Sequence, residues 1–129
     1  MPGVVVLEGN KFEFYQKTEI EIEVLNQQFK YQLEEISGVA LMVICDDANF
    51  TSTSIQNFVW VTFTRSNPSH DIYGVDSFIE NKHWGCRGPL IIDARIKPHH
   101  APPVEKENDT ENKIDRLFMK GGSLFGIVK

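Results

Sequence analysis

The stretch Val39-Ala40-Leu41-Met42-Val43-Ile44-Cys45 decides the class of fold. Its apolar residues follow one another without a polar interruption, and such a run is typical of a strand that helices cover on both faces. Asp46-Asp47 comes directly after it, so two acids are predicted at the carboxyl end of the strand. The stretch therefore predicts a buried strand inside a layered α/β domain.

The segments before this strand change their hydrophobic period. Residues 4–7 are apolar and mostly β-branched, and Glu8-Gly9-Asn10-Lys11 follows them, which indicates a short buried strand and a turn. From residue 14 to about residue 29, apolar residues recur at steps of three or four, as on one face of an amphipathic helix. These segments predict a strand and a helix ahead of the central strand.

The segments after the central strand continue the alternation. A second helix is predicted from about residue 53 to residue 63, because Thr51-Ser52-Thr53-Ser54 supplies oxygens that can cap its first turn. Residues 72–84 leave two interpretations open, a short strand or an irregular segment. Leu90-Ile91-Ile92-Asp93 predicts one more buried strand.

The end of the sequence has a different pattern from the rest. A polar connection spans residues 97–109, and a last helix is predicted from about 110 to 120, where Gly121-Gly122 ends it. The apolar tail Leu124-Phe125-Gly126-Ile127-Val128 is expected to dock on a neighbouring surface. We therefore divide the chain into an α/β domain, residues 1–105, and a docking helix with its tail, residues 106–129.

Alternating strands and helices predict an α/β fold with a small, mostly parallel sheet flanked by helices, followed by a C-terminal helix and docking tail. In such sheets functional groups gather beyond the carboxyl ends of the strands. This rule directs attention to Asn10-Lys11 and Asp46-Asp47.

Composition narrows the classes of function. The net charge is -5, and acids and bases are interspersed, which argues against a nucleic-acid or membrane surface. The N-terminus has no basic segment followed by a long apolar run, so no signal peptide is predicted. Cys45 and Cys86 are expected to be free thiols. A cytoplasmic location is the expectation.

His83, in His83-Trp84-Gly85-Cys86-Arg87-Gly88-Pro89, is the first candidate site residue. A histidine beside an indole could exchange a proton with a phenol or carboxylate near neutral pH, and the alternative is an ordinary structural turn. His83, Cys86 and the pair His99-His100 also suggest zinc. One thiolate and scattered imidazoles do not form the paired turns of a structural zinc site, so a solvated turn is favoured at His99-His100.

Asp46-Asp47, Lys11 and Arg65 each have two interpretations. The aspartates could bind a cation or act as an acid–base pair, but a cap on the next helix is favoured. Lys11 could neutralise an anionic ligand or be a surface lysine. Arg65 could bind a carboxylate or phosphate, or pair with a nearby acid.

The sequence shows no glycine-rich phosphate loop, no serine nucleophile elbow and no paired-cysteine motif. Without a nucleophile, a cofactor cradle or a metal site, these residues do not make up a complete catalytic site. We therefore expect a domain that serves as part of a larger enzyme.

Long stretches of the chain resemble the C-terminal region of UbiD-like decarboxylases that act on hydroxybenzoates. The resemblance covers essentially the whole chain, and its most specific part runs from residue 60 to residue 103. It includes Val59-Trp60-Val61-Thr62-Phe63-Thr64-Arg65-Ser66-Asn67-Pro68, Lys82-His83-Trp84-Gly85-Cys86-Arg87-Gly88-Pro89 and Lys97-Pro98-His99-His100-Ala101-Pro102-Pro103. The branch it resembles most acts on 4-hydroxybenzoate, vanillate or protocatechuate.

The resemblance implies reversible, non-oxidative decarboxylation that depends on prenylated flavin mononucleotide, a divalent metal (Mn or Mg) and K. In that family the flavin, the metal and the catalytic acid network belong to the N-terminal domain, so no catalytic residue and no bound cofactor is expected in this chain alone. The implied partner is a flavin-binding domain or subunit, within a homo- or hetero-oligomer.

By the same resemblance, Lys11 and His83 match positions that face the phenolic ring of the substrate. The last helix and its tail resemble a segment that packs across a subunit boundary. The implied role of the chain is to close the substrate pocket over a flavin bound elsewhere. The alternative is a non-catalytic assembly or regulatory module that retains the fold.

Overall fold

A computed structural model describes residues 1–101 and 107–127. Its elements, in chain order, are β1 (Val4–Glu8), α1 (Tyr15–Lys30), β2 (Leu41–Cys45), α2 (Ala48–Thr53), α3 (Ile55–Thr64), β3 (Ile72–Gly74), β4 (Ser77–Glu80), β5 (His83–Cys86), β6 (Leu90–Asp93) and α4 (Asn108–Phe118).

The main sheet has the strand order β1-β2-β6-β3. The first three strands are parallel, with Val6 opposite Val43 and Val43 opposite Ile92, and β3 runs antiparallel to β6. The predicted α/β class with a small, mostly parallel sheet is therefore confirmed.

Two apolar clusters cover the two faces of this sheet. Successive residues of a strand point to opposite faces, so Met42 and Ile44 face α1 while Val43 and Cys45 face α3. Ile22 of α1 lies in the first cluster, and Val61 of α3 lies in the second. Both faces of β2 are buried, which explains the unbroken apolar run in its sequence.

Two separate caps start the helices that follow β2. The Phe50 backbone N–H donates to Asp47 Oδ1 at 2.8 Å, and the Asn57 backbone N–H donates to Ser54 Oγ at 3.1 Å. Asp47 thus begins the six-residue α2, which the sequence did not reveal. Ser54 caps α3, which starts at Ile55, two residues after the predicted start. The expected cap from the Ser/Thr stretch is therefore confirmed.

Residues 72–84 form β3 and most of a two-stranded antiparallel hairpin, β4–β5. The turn residues Asn81 and Lys82 have φ values of 50° and 66°, which is the conformation of a type I′ turn. Gly85 lies opposite Phe78, and a Cβ at Gly85 would come within 2.8 Å of the Phe78 ring. The absence of a side chain at Gly85 therefore allows Phe78 to cover this strand.

The C-terminal helix α4 has no buried residue. Its apolar side chains Ile114, Leu117 and Phe118 are 47%, 42% and 38% exposed. The helix begins and ends two residues before the predicted bounds, and the proposed boundary at residue 105 lies outside the described residues. None of the described helices combines the length and hydropathy needed to cross a membrane.

Candidate functional site

The carboxyl edge of the parallel strands holds a buried ionic cluster, which we define as Asp71, Asp93, Arg95 and Lys97. Each of the four residues is at most 2% exposed. Asp93 ends β6, Arg95 and Lys97 follow it at alternate positions, and Asp71 immediately precedes β3. Two acids and two bases therefore meet where functional groups of an α/β sheet usually gather.

Arg95 is held by side chains from two elements. Its Nε donates to Asp93 Oδ1 at 2.9 Å and its Nη2 donates to Asp93 Oδ2 at 3.0 Å, so the ion pair is bidentate. Two further hydrogen bonds join the guanidinium to side chains of α1, one to Glu21 Oε2 at 2.8 Å and one to Thr18 Oγ1 at 3.0 Å. Burial alone would lower the pKa of Arg95, but these carboxylates outweigh it and raise the pKa. Arg95 is a fixed positive charge.

Lys97 binds backbone oxygens as well as carboxylates. Its Nζ donates to the carbonyl oxygens of Asp93 at 2.8 Å, Arg65 at 3.1 Å and Arg95 at 3.2 Å. Asp71 Oδ1 lies 3.3 Å from the same nitrogen. The ammonium group thereby ties the end of β6 to the end of α3.

Asp71 completes the cluster on the side of β3. Its Oδ2 accepts a hydrogen bond from the Asn67 backbone N–H at 2.6 Å. Two phenols lie near the carboxylates of the cluster. Burial, with the negative charges adding to it, raises the pKa of Tyr15 and raises that of Tyr73 to about 12. Both phenols therefore stay protonated at neutral pH.

The ionic cluster also fixes the loop that carries Lys11. Arg95 Nη1 donates to the Asn10 carbonyl oxygen at 2.9 Å, and the guanidinium lies 5.9 Å from the centre of the Phe12 ring. Phe12 is only 7% exposed. A Cβ at Gly9 would come within 3.1 Å of the Arg95 side chain, so the glycine permits the close approach. The loop is anchored on both sides of Lys11, whose own side chain is exposed.

A cleft of about 460 Å³ opens beside this loop, between β1 and α1. Apolar side chains form most of its wall, and Glu8, Glu21 and Arg95 contribute the charged part. The residues that line it are Leu7, Glu8, Gly9, Asn10, Ile20, Glu21, Val24, Leu25, Ile44 and Arg95. The cleft has the mixed lining that is common in small-molecule sites, an apolar wall with a few polar groups.

His83 occupies a different element from Lys11. It begins β5 directly after the type I′ turn, opposite Glu80, and its side chain is exposed. Trp84 beside it is 48% exposed and lines a smaller cleft of about 190 Å³ together with Tyr73. Within the described ranges no hydrogen bond or ring contact joins His83 to Lys11, and their role in substrate binding stays a prediction.

The two aspartates after β2 have structural partners. Asp47 caps α2, and Asp46 Oδ2 accepts the Ile96 backbone N–H at 2.8 Å and lies 3.4 Å from Arg65 Nη1. Arg65 also lies over the Trp60 ring, 4.9 Å from its centre. The predictions of a helix cap and of an acid paired with Arg65 are both confirmed.

His99 and His100 lie in a turn after Lys97, with ring centres 4.6 Å apart. His100 Nδ1 accepts the Lys97 backbone N–H at 3.1 Å. Burial, with smaller contributions from the neighbouring positive groups, lowers the pKa of His100. Over residues 1–101 and 107–127, no three His, Cys, Asp or Glu side chains come together as metal ligands, and Cys45 and Cys86 are unbridged thiols.

Sequence reasoning missed the ionic cluster, although its signal is present. Asp93, Arg95 and Lys97 alternate immediately after an apolar strand, so their side chains share one side of an extended chain. Three charges in that arrangement at the carboxyl end of a buried strand indicate a network rather than a solvated surface.

Four chlamydial proteins have regions similar to this chain. A Chlamydia pneumoniae protein, named as a subunit of 4-hydroxybenzoate decarboxylase, is 31% identical over 84 residues, which are 65% of this chain and 14% of that protein. A Chlamydia muridarum protein, named only as uncharacterized, is 28% identical over 102 residues, or 79% of this chain and 18% of that protein.

The chain thus spans less than a fifth of the length of the curated relatives it matches. No family model and no solved structure matches it.

Proposed function

We propose that this chain is the pocket-closing component of a phenolic acid decarboxylase of the UbiD-like type, acting on a substrate such as 4-hydroxybenzoate, vanillate or protocatechuate. The observation that carries the proposal is the anchored loop after β1, which holds an exposed Lys11 at the carboxyl edge beside a mostly apolar cleft. The name of the Chlamydia pneumoniae relative supports the choice of reaction.

The prenylated flavin, its divalent metal and K are proposed to belong to another domain or subunit. Residues of the cluster do not fit such a group, because the donors of Arg95 and Lys97 are already directed at carboxylates and carbonyl oxygens. When bound to the partner, the flavin supplies the activation of the aromatic ring. The reaction consumes one proton and converts the aromatic carboxylate to carbon dioxide and the phenol.

In this scheme the chain binds and orients the substrate. The Lys11 ammonium attracts the anionic end of the substrate or its phenolate oxygen, and the side of the ring lies against apolar residues of the cleft. His83 exchanges a proton with the phenolic oxygen, a general acid–base role that imidazole side chains commonly fill. Closure over the partner excludes water from the reacting carbon.

The test is to add the purified chain to a flavin-loaded partner and to follow carbon dioxide release from 4-hydroxybenzoate. We expect His83→Ala and Lys11→Met each to lower kcat/KM by about tenfold or more, since each removes one polar contact to the substrate. Lys17→Met is the matched control, because Lys17 is a lysine on the outer surface of α1 that pairs with Glu13. Activity that is equal in all three variants would remove the site assignment.

A second candidate function is an assembly module without a catalytic role. The observation in its favour is α4, whose apolar side chains are exposed although the helix is regular. This function predicts that deleting the chain from Asn108 onward, which removes α4, changes the oligomeric mass, and that 4-hydroxybenzoate has no effect on any variant. Light scattering with and without the substrate separates the two candidates.

A further inference from the structure

The outer face of α3 is apolar and uncovered. We define this face as Ile55, Val59, Trp60 and Phe63, which are 51%, 45%, 46% and 68% exposed. The opposite side of the same helix, with Phe58 and Val61, is buried against the sheet, and the helix carries no charged residue. Apolar side chains on two opposite sides of one helix are typical of a helix that is covered on both of those sides.

The outer face of α3 continues into a second apolar surface. Ile55 lines both a groove of about 540 Å³ along α3 and a cleft of about 360 Å³ beside β1. Val4 and Val6 form the wall of this cleft on the β1 side. Within the described sheet, β1 is an edge strand that pairs with β2 alone. An exposed helix face and an open sheet edge therefore form one continuous surface.

The other end of the outer face reaches the edge of the sheet that carries the candidate site. Arg65, the residue after α3, contacts Asp46 with its guanidinium and Lys97 with its carbonyl oxygen. A protein seated on Phe63 would therefore lie next to the buried ionic cluster. It would approach the carboxyl edge from the α3 side of the sheet, the side opposite α1.

We propose that the outer face of α3 is covered by the polypeptide that makes up the rest of the longer relatives, either in the same chain or as a subunit. More than four fifths of those relatives lies outside the region that this chain matches, and a remainder of that size offers enough surface to cover this face. The four side chains of the face are uncharged, and Arg65 lies over the Trp60 ring at one end, so the occupant presents a mainly apolar surface. The inference rests on the proposed function, because it makes the flavin-binding partner the occupant.

The test is photo-crosslinking in cells that make the protein, with p-benzoylphenylalanine in place of Phe63. Tyr31 is the matched control position, because it is an aromatic residue at the end of α1 and is 83% exposed. The expected adduct from position 63 maps by mass spectrometry to a peptide similar to the part of the Chlamydia pneumoniae relative outside the matched region. Position 31 is expected to give no such adduct.

Four results would overturn the proposal: an adduct with a second copy of this chain, an adduct with its own residues 108–127, an adduct with an unrelated protein, or no adduct. As a second measurement, Phe63→Asp should weaken binding of the crosslinked partner at least tenfold while Tyr31→Asp leaves it unchanged, since a buried charge on one side only is strongly unfavourable. Equal binding by the two variants also contradicts the proposal.

The proposed function can fail separately. If the adduct maps as expected but the partner binds no flavin, the docking surface stands and the decarboxylase assignment is wrong. If the complex decarboxylates 4-hydroxybenzoate without an adduct at position 63, the function stands and the docking surface is wrong.

Discussion

Replacing Lys97 by methionine tests whether the buried ionic cluster stabilises the fold. The Nζ of Lys97 donates to three carbonyl oxygens within 3.2 Å and lies 3.3 Å from Asp71 Oδ1, and both side chains are fully buried. Methionine fills a similar volume but leaves the buried Asp71 carboxylate without its cation, while Arg95 stays paired with Asp93. Removing one partner of a buried pair typically costs about 3–5 kcal/mol, and we expect that range for Lys97→Met.

The assay is urea unfolding of the chain followed by circular dichroism. With an m value of about 2 kcal/mol/M, the expected loss lowers the midpoint by about 2 M. Lys17→Met is the control, because its pair with Glu13 is exposed and such a pair contributes about 0.2–1 kcal/mol. Adding Asp71→Asn should restore part of the loss, since it removes the uncompensated charge and keeps the shape of the side chain.

A loss below about 1 kcal/mol for Lys97→Met would refute the reasoning, because it is less than the cost of leaving even one buried polar group unpaired. The reasoning would also be refuted if the loss of stability in the Lys97→Met/Asp71→Asn double variant equalled the sum of the losses in the two single variants. Either result would mean that water or a local rearrangement replaces the interactions that Lys97 makes.

Three further predictions concern other parts of the chain. Gly74→Ala should lower the free energy of unfolding by about 1–3 kcal/mol, because a Cβ at Gly74 would lie 2.5 Å from the Cβ of Cys86. Gly38→Ala is the control and should change it little, because a Cβ at Gly38 meets nothing within 4 Å. Equal urea midpoints for the two variants would contradict this prediction. The lowered pKa of His100 means that its neutral form stabilises the fold above pH of about 6.5, and this contribution is lost as the pH falls through the folded pKa. An NMR titration of His100 with a midpoint at or above that value would show the opposite sign. Burial raises the pKa of the Cys45 thiol, so it should react with a thiol reagent only after urea unfolds the chain, and rapid labelling of the native protein would contradict that.

The order and type of the long elements could be predicted from the sequence because their hydrophobic periods are distinct. The run that forms β2 has no polar interruption, and α1 repeats its apolar residues at the helical period. The helix after β2 was harder, because Asp47 and Ser54 cap two short helices where one stretch of Ser and Thr suggested a single start. A six-residue helix is too short to show a period.

The hairpin β4–β5 escaped prediction for a different reason. Its turn is Asn81-Lys82, and the usual sequence signal for a type I′ turn has glycine at the second position. Lysine can adopt the required positive φ, but nothing in its side chain indicates it. The strands themselves are four residues long, and Ile79 and Trp84 are exposed, so no buried pattern marked them.

For the candidate site, sequence patterns located the correct edge of the sheet but not its chemistry. Charged residues such as Arg95 are usually solvated, and this one is buried only because Phe12 and α1 close over it. The burial of Arg95 depends on contacts between residues more than seventy positions apart, such as Glu21 and Arg95, and a local sequence pattern cannot predict such contacts. Lys11 and His83 were singled out by sequence pattern and matched to the phenolic ring by resemblance, and that role stays a prediction.

The helix α4 contributes nothing to the interior, and every buried residue of the described chain precedes position 101. The cooperative folding unit therefore ends before this helix begins. Substitutions in residues 108–127 should leave the melting temperature of the isolated chain almost unchanged. Any effect of such substitutions on association could therefore be measured while the folded core serves as an internal reference.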